Sequence, residues 1–194
     1  MKKIIILVLT IFIISCQSNK EKDEAVDEHN HSEVKTEVGA SKSPHTSTME
    51  TIGGAHIHID YSSPRVRNRI VFGGLLAYDE VWQAGAHMAT WVETSKDLTI
   101  SDQVLPKGKY GFFLIPTKGE WTVIFNKNWN QHGKDDYDES EDVVRFKVAP
   151  EFSEDIKEEL EYKIHKEDES KGIFSLEWEK VKINFPFVVN ETNN

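Results

Sequence analysis

Residues 54–69 read GAHIHIDYSSPRVRNR, with His56, His58 and Asp60 at every second position and Arg65, Arg67 and Arg69 following at the same spacing. In a strand, alternate side chains share a face, so imidazoles at i and i+2 stand about 7 Å apart, near enough to reach one ion. Neutral imidazole is a good ligand for zinc, copper, iron and nickel. A centre of that kind needs further ligands from elsewhere in the chain. His87 in GAHMAT and His132 in NQHGKD are the candidates, each lying near glycine, where a loop can turn a side chain toward a neighbouring sheet. His56, His58, His87 and His132 therefore form the candidate metal set, with Asp60 as a ligand or as an acceptor orienting an imidazole. Zinc or copper is the ion such a set suits, and Met49 and Met88 would add soft ligands for copper. The plainer alternative is a polar strand face whose histidines are solvated or hydrogen-bonded.

The arginine series carries a similar pair of readings. Arg65 and Arg67 could clamp a carboxylate or phosphate, or could pair with the abundant acids of the chain. Trp129, in NKNWNQH, could floor a ligand pocket beside His132, whereas Trp82, Trp91, Trp121 and Trp178 suit core or rim packing. Other chemistry is missing from the sequence. It has no Gly-rich phosphate loop, no G-x-S-x-G elbow, no H-E-x-x-H and no paired cysteines. The acidic run DDYDESED at 135–142 lacks the glycine and distal glutamate of an EF-hand loop and reads as a solvated loop.

These residues must be positioned by a folded part, and the chain divides into segments of different composition. Residues 1–15 pair Lys2 and Lys3 with an apolar run from Ile4 to Ile14, too short to span a bilayer but suited to a signal-peptide core. The run ends in Ile13-Ile14-Ser15-Cys16, which resembles a bacterial lipobox, and Cys16 is the chain's single cysteine. Acylation there would anchor the protein to a membrane without spanning it, so the expected location is the cell envelope. A lone thiol also excludes intramolecular disulfides. Residues 16–43 are mostly Glu, Lys, Asp, Ser, His and Asn, a composition that cannot bury enough surface to offset its ordering entropy; we expect a disordered tether there, and a disordered tail at 190–194. Cleavage after Ser15 removes two lysines and no acid, taking the formal charge from −10 to −12. That sign argues against nucleic acid as a partner and leaves lipid as the link to the membrane.

From residue 44 to 189 short apolar stretches of period two alternate with Gly, Pro, Asn and Asp. Ile57, Ile59 and Tyr61 interleave with the polar set at 56, 58 and 60, the pattern of a half-buried strand. LTISDQVLPKGKYGFFLIP predicts two strands about a Pro-Lys-Gly turn at 106–108, and TKGE turns the chain into WTVIF. VVRFKV, LEYKIHK, IFSLEW and VKINFPF continue the rhythm to about nine strands, enough for one domain with a core. Two short helices are expected: SEDIKEEL at 153–160, with a serine cap and acids in its first turn, and a turn in YDEVWQAG ending at Gly85. The fold expected is all-β, an antiparallel β-sandwich or jelly-roll-like single domain.

HIHIDYSSPRVRNR, GGLLAYDEVWQAGAHMAT, LPKGKYGFFLIPTKGEWTVIFNKNWNQHGKDDYD, EDVVRFKV and LEWEKVKINFPF together resemble the family of bacterial envelope proteins known as domain of unknown function 2911, in order over roughly residues 52–187. The resemblance implies a secreted or lipid-anchored β-rich domain and no particular activity. Many members have Arg-x-Gly-Ala-Asn where this chain has Gln83 to His87, and Trp-Gly where it has His132-Gly133, so two of the four candidate ligands stand where relatives do without them. Three functions follow as expectations: a domain binding a transition metal or small ligand through its histidines, a metal-assisted hydrolase, or a structural or carbohydrate-contacting envelope protein without metal.

Overall fold

The structure, a computed structural model, describes residues 42–191. The signal core, Cys16, the tether up to residue 41 and the tail from residue 192 lie outside the described residues. Ten strands form two antiparallel sheets. The first sheet has six strands: β1 (His45–Ile52), β2 (Ala55–Ser62), β3 (Trp91–Thr94), β6 (Gly108–Ile115), β7 (Trp121–Asn126) and β8 (Asp142–Val148), hydrogen-bonded in that order. The second has four, in the order β5 (Gln103–Leu105), β4 (Leu98–Ile100), β10 (Lys171–Val189) and β9 (Glu151–Lys166). The all-β, two-sheet architecture expected from the sequence is the one found.

Period two decides which face each strand buries. Ile57, Ile59 and Tyr61 of β2, Tyr110, Phe112 and Leu114 of β6, and Val123 and Phe125 of β7 point between the sheets, where Leu160, Tyr162, Phe174, Leu176, Phe185 and Phe187 meet them from the other side. Phe72, Trp82, Trp121 and Trp178 pack at one end, with Phe72 4.6 Å from Trp121 and Trp82 stacked 5.6 Å from Trp178. Each such side chain removed from water contributes about 1.5–3 kcal/mol, so the aromatic core dominates the fold's stability.

The margins are laced by specific hydrogen bonds. At one margin the segment 63–66 bonds to β9: the Ser63 hydroxyl donates to the Leu160 carbonyl at 2.7 Å, and Leu160 N–H donates to the Pro64 carbonyl at 3.0 Å. At the other, the Gln103 amide donates to the Arg145 carbonyl at 2.9 Å, tying β5 to β8.

Four local expectations are corrected. Residues 153–160 are strand, within β9. Ser153 does accept a local hydrogen bond from Asp155 N–H at 3.0 Å, as its capping chemistry suggests. A helix of so few residues is marginal alone, and β10 offers an antiparallel partner, bulged around Lys157, while Leu160, Tyr162 and Ile164 alternate into the core. YDEVWQAG forms no helix either. Asp79 and Ala84 have φ of 65° and 52°, and Trp82 makes a two-way bridge with Leu114 that seats its indole in the core. Next, residues 98–115 form three strands: Ser101 and Asp102, with φ of 47° and 60°, make a two-residue hairpin turn joining β4 to β5, and residues 106–107 carry the chain across to the other sheet. Conversely, IFSLEW and VKINFPF belong to the single strand β10, bent by register shifts around Glu179.

Candidate functional site

The same alternation that buries Ile57 and Ile59 sends His56, His58 and Asp60 to the outer face of the six-stranded sheet. There Asp60 pairs with Trp91 and His58 with Glu93 on β3, and Trp91 and Glu93 pair in turn with Gly111 and Lys109 on β6. Two long connections cover half of this face. Residues 79–90 and 127–138 pack over Phe113 and Ile124, which with Ala89 form a second, small core sealed by Val81, Ile115 and Tyr137. The two connections pair with each other through the Met88–His132 bridge, Ala89 N–H donating to Gln131 O at 3.0 Å and Gly133 N–H donating to His87 O at 2.7 Å.

The second connection is held by buried amides. Asn126 donates to the Asp138 carbonyl and the Asp142 carboxylate, both at 2.8 Å, and accepts from Asn128 N–H at 2.8 Å. Gln131 donates to Asn128 O at 2.7 Å and accepts from Asp136 N–H at 3.0 Å. Tyr137 donates to Asp142 at 2.9 Å, and burial followed by that carboxylate holds its phenol well above the ordinary range, so it stays protonated as a donor. Gly111 completes the seat, because a Cβ there would lie 3.0 Å from the Asn128 carbonyl and 3.2 Å from the Trp129 Cα. Only a residue without a side chain lets the Trp129 backbone settle on β6.

Where this cover stops, a cleft of about 190 Å³ opens, lined by His45, Asp60, Met88, Trp91, Trp129 and Asn130 among others. His45 Nε2 lies 3.1 Å from Asp60 Oδ2. The Trp91 and Trp129 rings stand 6.4 Å apart, and the Lys109 ammonium sits 3.3 Å from one centroid and 3.9 Å from the other. That double cation–π contact fixes both indoles, each such contact contributing about 0.5–1 kcal/mol at an exposed site.

The four candidate histidines do not assemble into one centre. His56 and His58 lie 6.4 Å apart by ring centroids, close to the spacing expected of alternate strand residues. The edge of His58 meets Trp91 at 4.9 Å, and its Nε2 is shielded from solvent with no hydrogen-bond partner among the described residues. His132 is on the covering connection, exposed, with Nδ1 3.3 Å from Asp135. His87 is exposed at φ 62° in the other connection. Among the described residues no group of three or more His, Cys, Asp or Glu side chains is placed to hold a metal ion.

The arginines are committed elsewhere. Arg65 Nε donates to Glu159 at 2.7 Å, Arg67 reaches the Lys42 carbonyl at 3.0 Å, and Arg69 bonds the Val66 and Arg65 carbonyls. Of the candidates named from sequence, the structure brings Trp129 and Asp60 into one cleft. It adds His45 and Trp91, with Lys109 packed against both indoles, a convergence no local pattern announces because it arises across four strands and a loop.

Fold and cleft together define a two-sheet antiparallel sandwich with an aromatic-lined cleft on the outer face of its six-stranded sheet, at the border of the loop cover. Residues 43–187 match the family model described as protein of unknown function DUF2911, and the chain belongs to that family. No curated protein and no solved structure matches the chain.

Proposed function

We propose that this chain is a binding module of the cell envelope, held to the membrane by a lipid on Cys16, whose cleft takes a small neutral polyhydroxylated ligand such as a sugar unit. The observation that carries the reading is the convergence of the Trp91 and Trp129 indoles with the Asp60 carboxylate, His45 and Asn130 around one opening. Indoles offer flat apolar surface to the C–H face of a sugar, and a carboxylate and an amide bond its hydroxyls. Pockets for drug-sized ligands enclose about 300–1,000 Å³, so a cleft of about 190 Å³ suits a smaller molecule, one ring and its substituents. The metal-binding and metal-hydrolase readings call for three or more converging ligands, and among the described residues no such group of His, Cys, Asp or Glu is found, which favours the sugar reading over them.

The envelope location rests on the signal-like residues 1–15 and on Ile13-Ile14-Ser15-Cys16. Among the described residues no helix is long and apolar enough to cross a membrane. Calorimetric titration of the detergent-purified chain with a panel of neutral monosaccharides tests the first half of the proposal. Binding to at least one sugar, weakened about tenfold or more in Trp129→Ala as loss of a stacked aromatic anchor implies, is the expected result. A panel without binding, or a variant that binds as the parent does, refutes it. Partition of the expressed chain into a detergent phase, lost in Cys16→Ser, tests the second.

A further inference from the structure

Ile70 is 71% exposed and Leu75 48%, and both stand on one loop, residues 67–76. Its backbone is tightly bonded. Arg69 N–H donates to the Val66 carbonyl at 3.1 Å across Arg67 and Asn68, whose φ of 51° and 55° make a sharp reversal. Leu75 N–H donates to the Ile70 carbonyl at 3.0 Å, and Leu76 N–H to the Val71 carbonyl at 2.8 Å. Val71 and Phe72 are buried between these turns, so the same backbone that sinks them in the core presents Ile70 and Leu75 to solvent. Phe152, 72% exposed, and Ile156, 57%, lie at the same end of the sandwich. Residues 64–66 run antiparallel to β9, with Leu160 N–H on the Pro64 carbonyl and Val66 N–H on the Glu158 carbonyl, a course that leads the loop toward Ile156. Val71 N–H then bonds to Glu179, whose backbone pairs with Lys157. Among the described residues, four of the eight large exposed apolar side chains thus gather at one end. Scattered singly they would need no explanation, but gathered they mark an interaction surface.

That end is also where the segment bearing Cys16 joins the domain. The carbonyl of Lys42, the first described residue, accepts from the Arg67 guanidinium at 3.0 Å, and the spacing of Cα atoms along the chain keeps Ile70 within about 11 Å of Arg67. β1 then leads away for about 25 Å. At its far end a Cβ on Gly53 would lie 3.4 Å from the Glu169 carbonyl, so the β1–β2 and β9–β10 turns meet at the opposite end. The 26 residues 16–41 span at most about 90 Å, so a lipid on Cys16 keeps the loop at high local concentration beside the bilayer. The charges agree. Residues 61–78 hold three arginines and no acid. Arg65 is paired with Glu159, but the Arg67 and Arg69 side chains donate to backbone carbonyls and to no carboxylate among the described residues. The acids facing the loop are engaged: Glu158 and Glu179 accept the Arg67 and Val71 N–H groups, and Glu154 faces Lys180. Guanidinium forks fit phosphates, and with acids and bases so balanced the matching surface is a phospholipid bilayer of low net charge. Resting on the lipid at Cys16 proposed above, we infer that Ile70 and Leu75, with Phe152 and Ile156 beside them, enter the interface of such a bilayer while Arg67 and Arg69 bond its phosphates. The anchored domain is then docked in one orientation, not merely attached.

The test uses the full lipidated chain in phosphatidylcholine vesicles, diluted to a single chain per vesicle, with an apolar, polarity-sensitive fluorophore on an added cysteine. Cys16, blocked by its lipid, does not react. Leu75→Cys reports on the loop and Glu169→Cys on the opposite turn. Emission from position 75 is expected to shift to the blue on reconstitution, and lipids carrying a nitroxide near the headgroup should quench it at least about twofold more than emission from position 169. Ile70→Asp together with Phe152→Asp, both at exposed side chains and so expected to melt with the parent, should remove that difference. Flotation with the vesicles reads the anchor separately. A chain that floats but is quenched equally at the two positions, or whose difference survives the aspartates, overturns the docking inference while the anchor stands. A chain that does not float overturns both. A blue shift that appears only as chains are crowded, without nitroxide quenching, assigns this end to a second copy and likewise overturns the inference.

Discussion

Gly111→Ala tests the argument that β6 was shaped to seat the Trp129 connection. The added methyl would lie 2.7 Å from Phe113 Cε2, 3.0 Å from the Asn128 carbonyl and 3.2 Å from Trp129 Cα. The ring of Phe113 can rotate slightly, but two of these three neighbours are backbone, so the 127–131 segment must lift. Overpacking of this kind costs about 1–3 kcal/mol, offset by about 0.4–1 kcal/mol from the lower entropy of the unfolded alanine chain. The net is a loss of about 1–2 kcal/mol, which lowers the melting temperature of a domain of this size by roughly 2–8 °C. Lifting the segment also opens the 3.9 Å gap between Lys109 and the Trp129 ring, so the tryptophan emission should shift toward that of a solvated indole in the folded state. Gly119→Ala is the control: the nearest atom to its added methyl is Thr117 Oγ1 at 3.8 Å, and it should melt with the parent. A Gly111→Ala chain with unchanged melting and emission would show that the connection is not seated on β6 as described.

Two further outcomes follow from the charges. Glu161 is held below the usual carboxylate range chiefly by its hydrogen bond to Lys157, with Lys163 adding to it, and Asp138 and Asp168 are lowered by hydrogen bonds from nearby backbone N–H groups. Each is depressed on folding, so its contribution is fully present above the unfolded value, 4.5 for Glu161, and is lost as pH falls through the lower folded value. Urea midpoints should hold from neutrality down to about the unfolded value of 4.5 and fall beneath it, with a shallower fall in Glu161→Gln; a midpoint that rises on acidification would contradict the assignment. Elemental analysis of the tag-free chain after dialysis should find zinc and copper well below one equivalent, unchanged in His58→Ala with His87→Ala. A stoichiometric ion lost in that double variant would reinstate a histidine centre.

The sequence carried the sheet more faithfully than the site, for physical reasons visible at individual residues. Ile57, Ile59 and Tyr61 announce β2 because burial on one face is written into its own alternation. SEDIKEEL misleads because capping chemistry is local, while the partner that makes it a strand, β10, lies beyond the next turn. Two apparent strands merge into β10 because the bulges around Glu179 interrupt the period without ending the pairing. Spacing placed His56 and His58 on one face, and they are there. It held no information on whether His87 and His132 would turn toward them, since their directions depend on how two connections fold over Phe113 and Ile124.

Those connections also account for where the cleft falls. An antiparallel sheet in a sandwich can leave its outer face to solvent, and polar residues such as His56 suffice there. Here Phe113 and Ile124 put large apolar side chains on that outer face, and burying them requires the covering connections and their small second core. A cover of fixed extent must have a border, and at a border the side chains of the cover and those of the bare sheet face one another across a step. Met88, Trp129 and Asn130 stand on the upper side of that step, with Asp60 and Trp91 on the lower. The alternating histidines thus belong to the uncovered part of the sheet, and the residues that line the cleft are those at its boundary with the covered part.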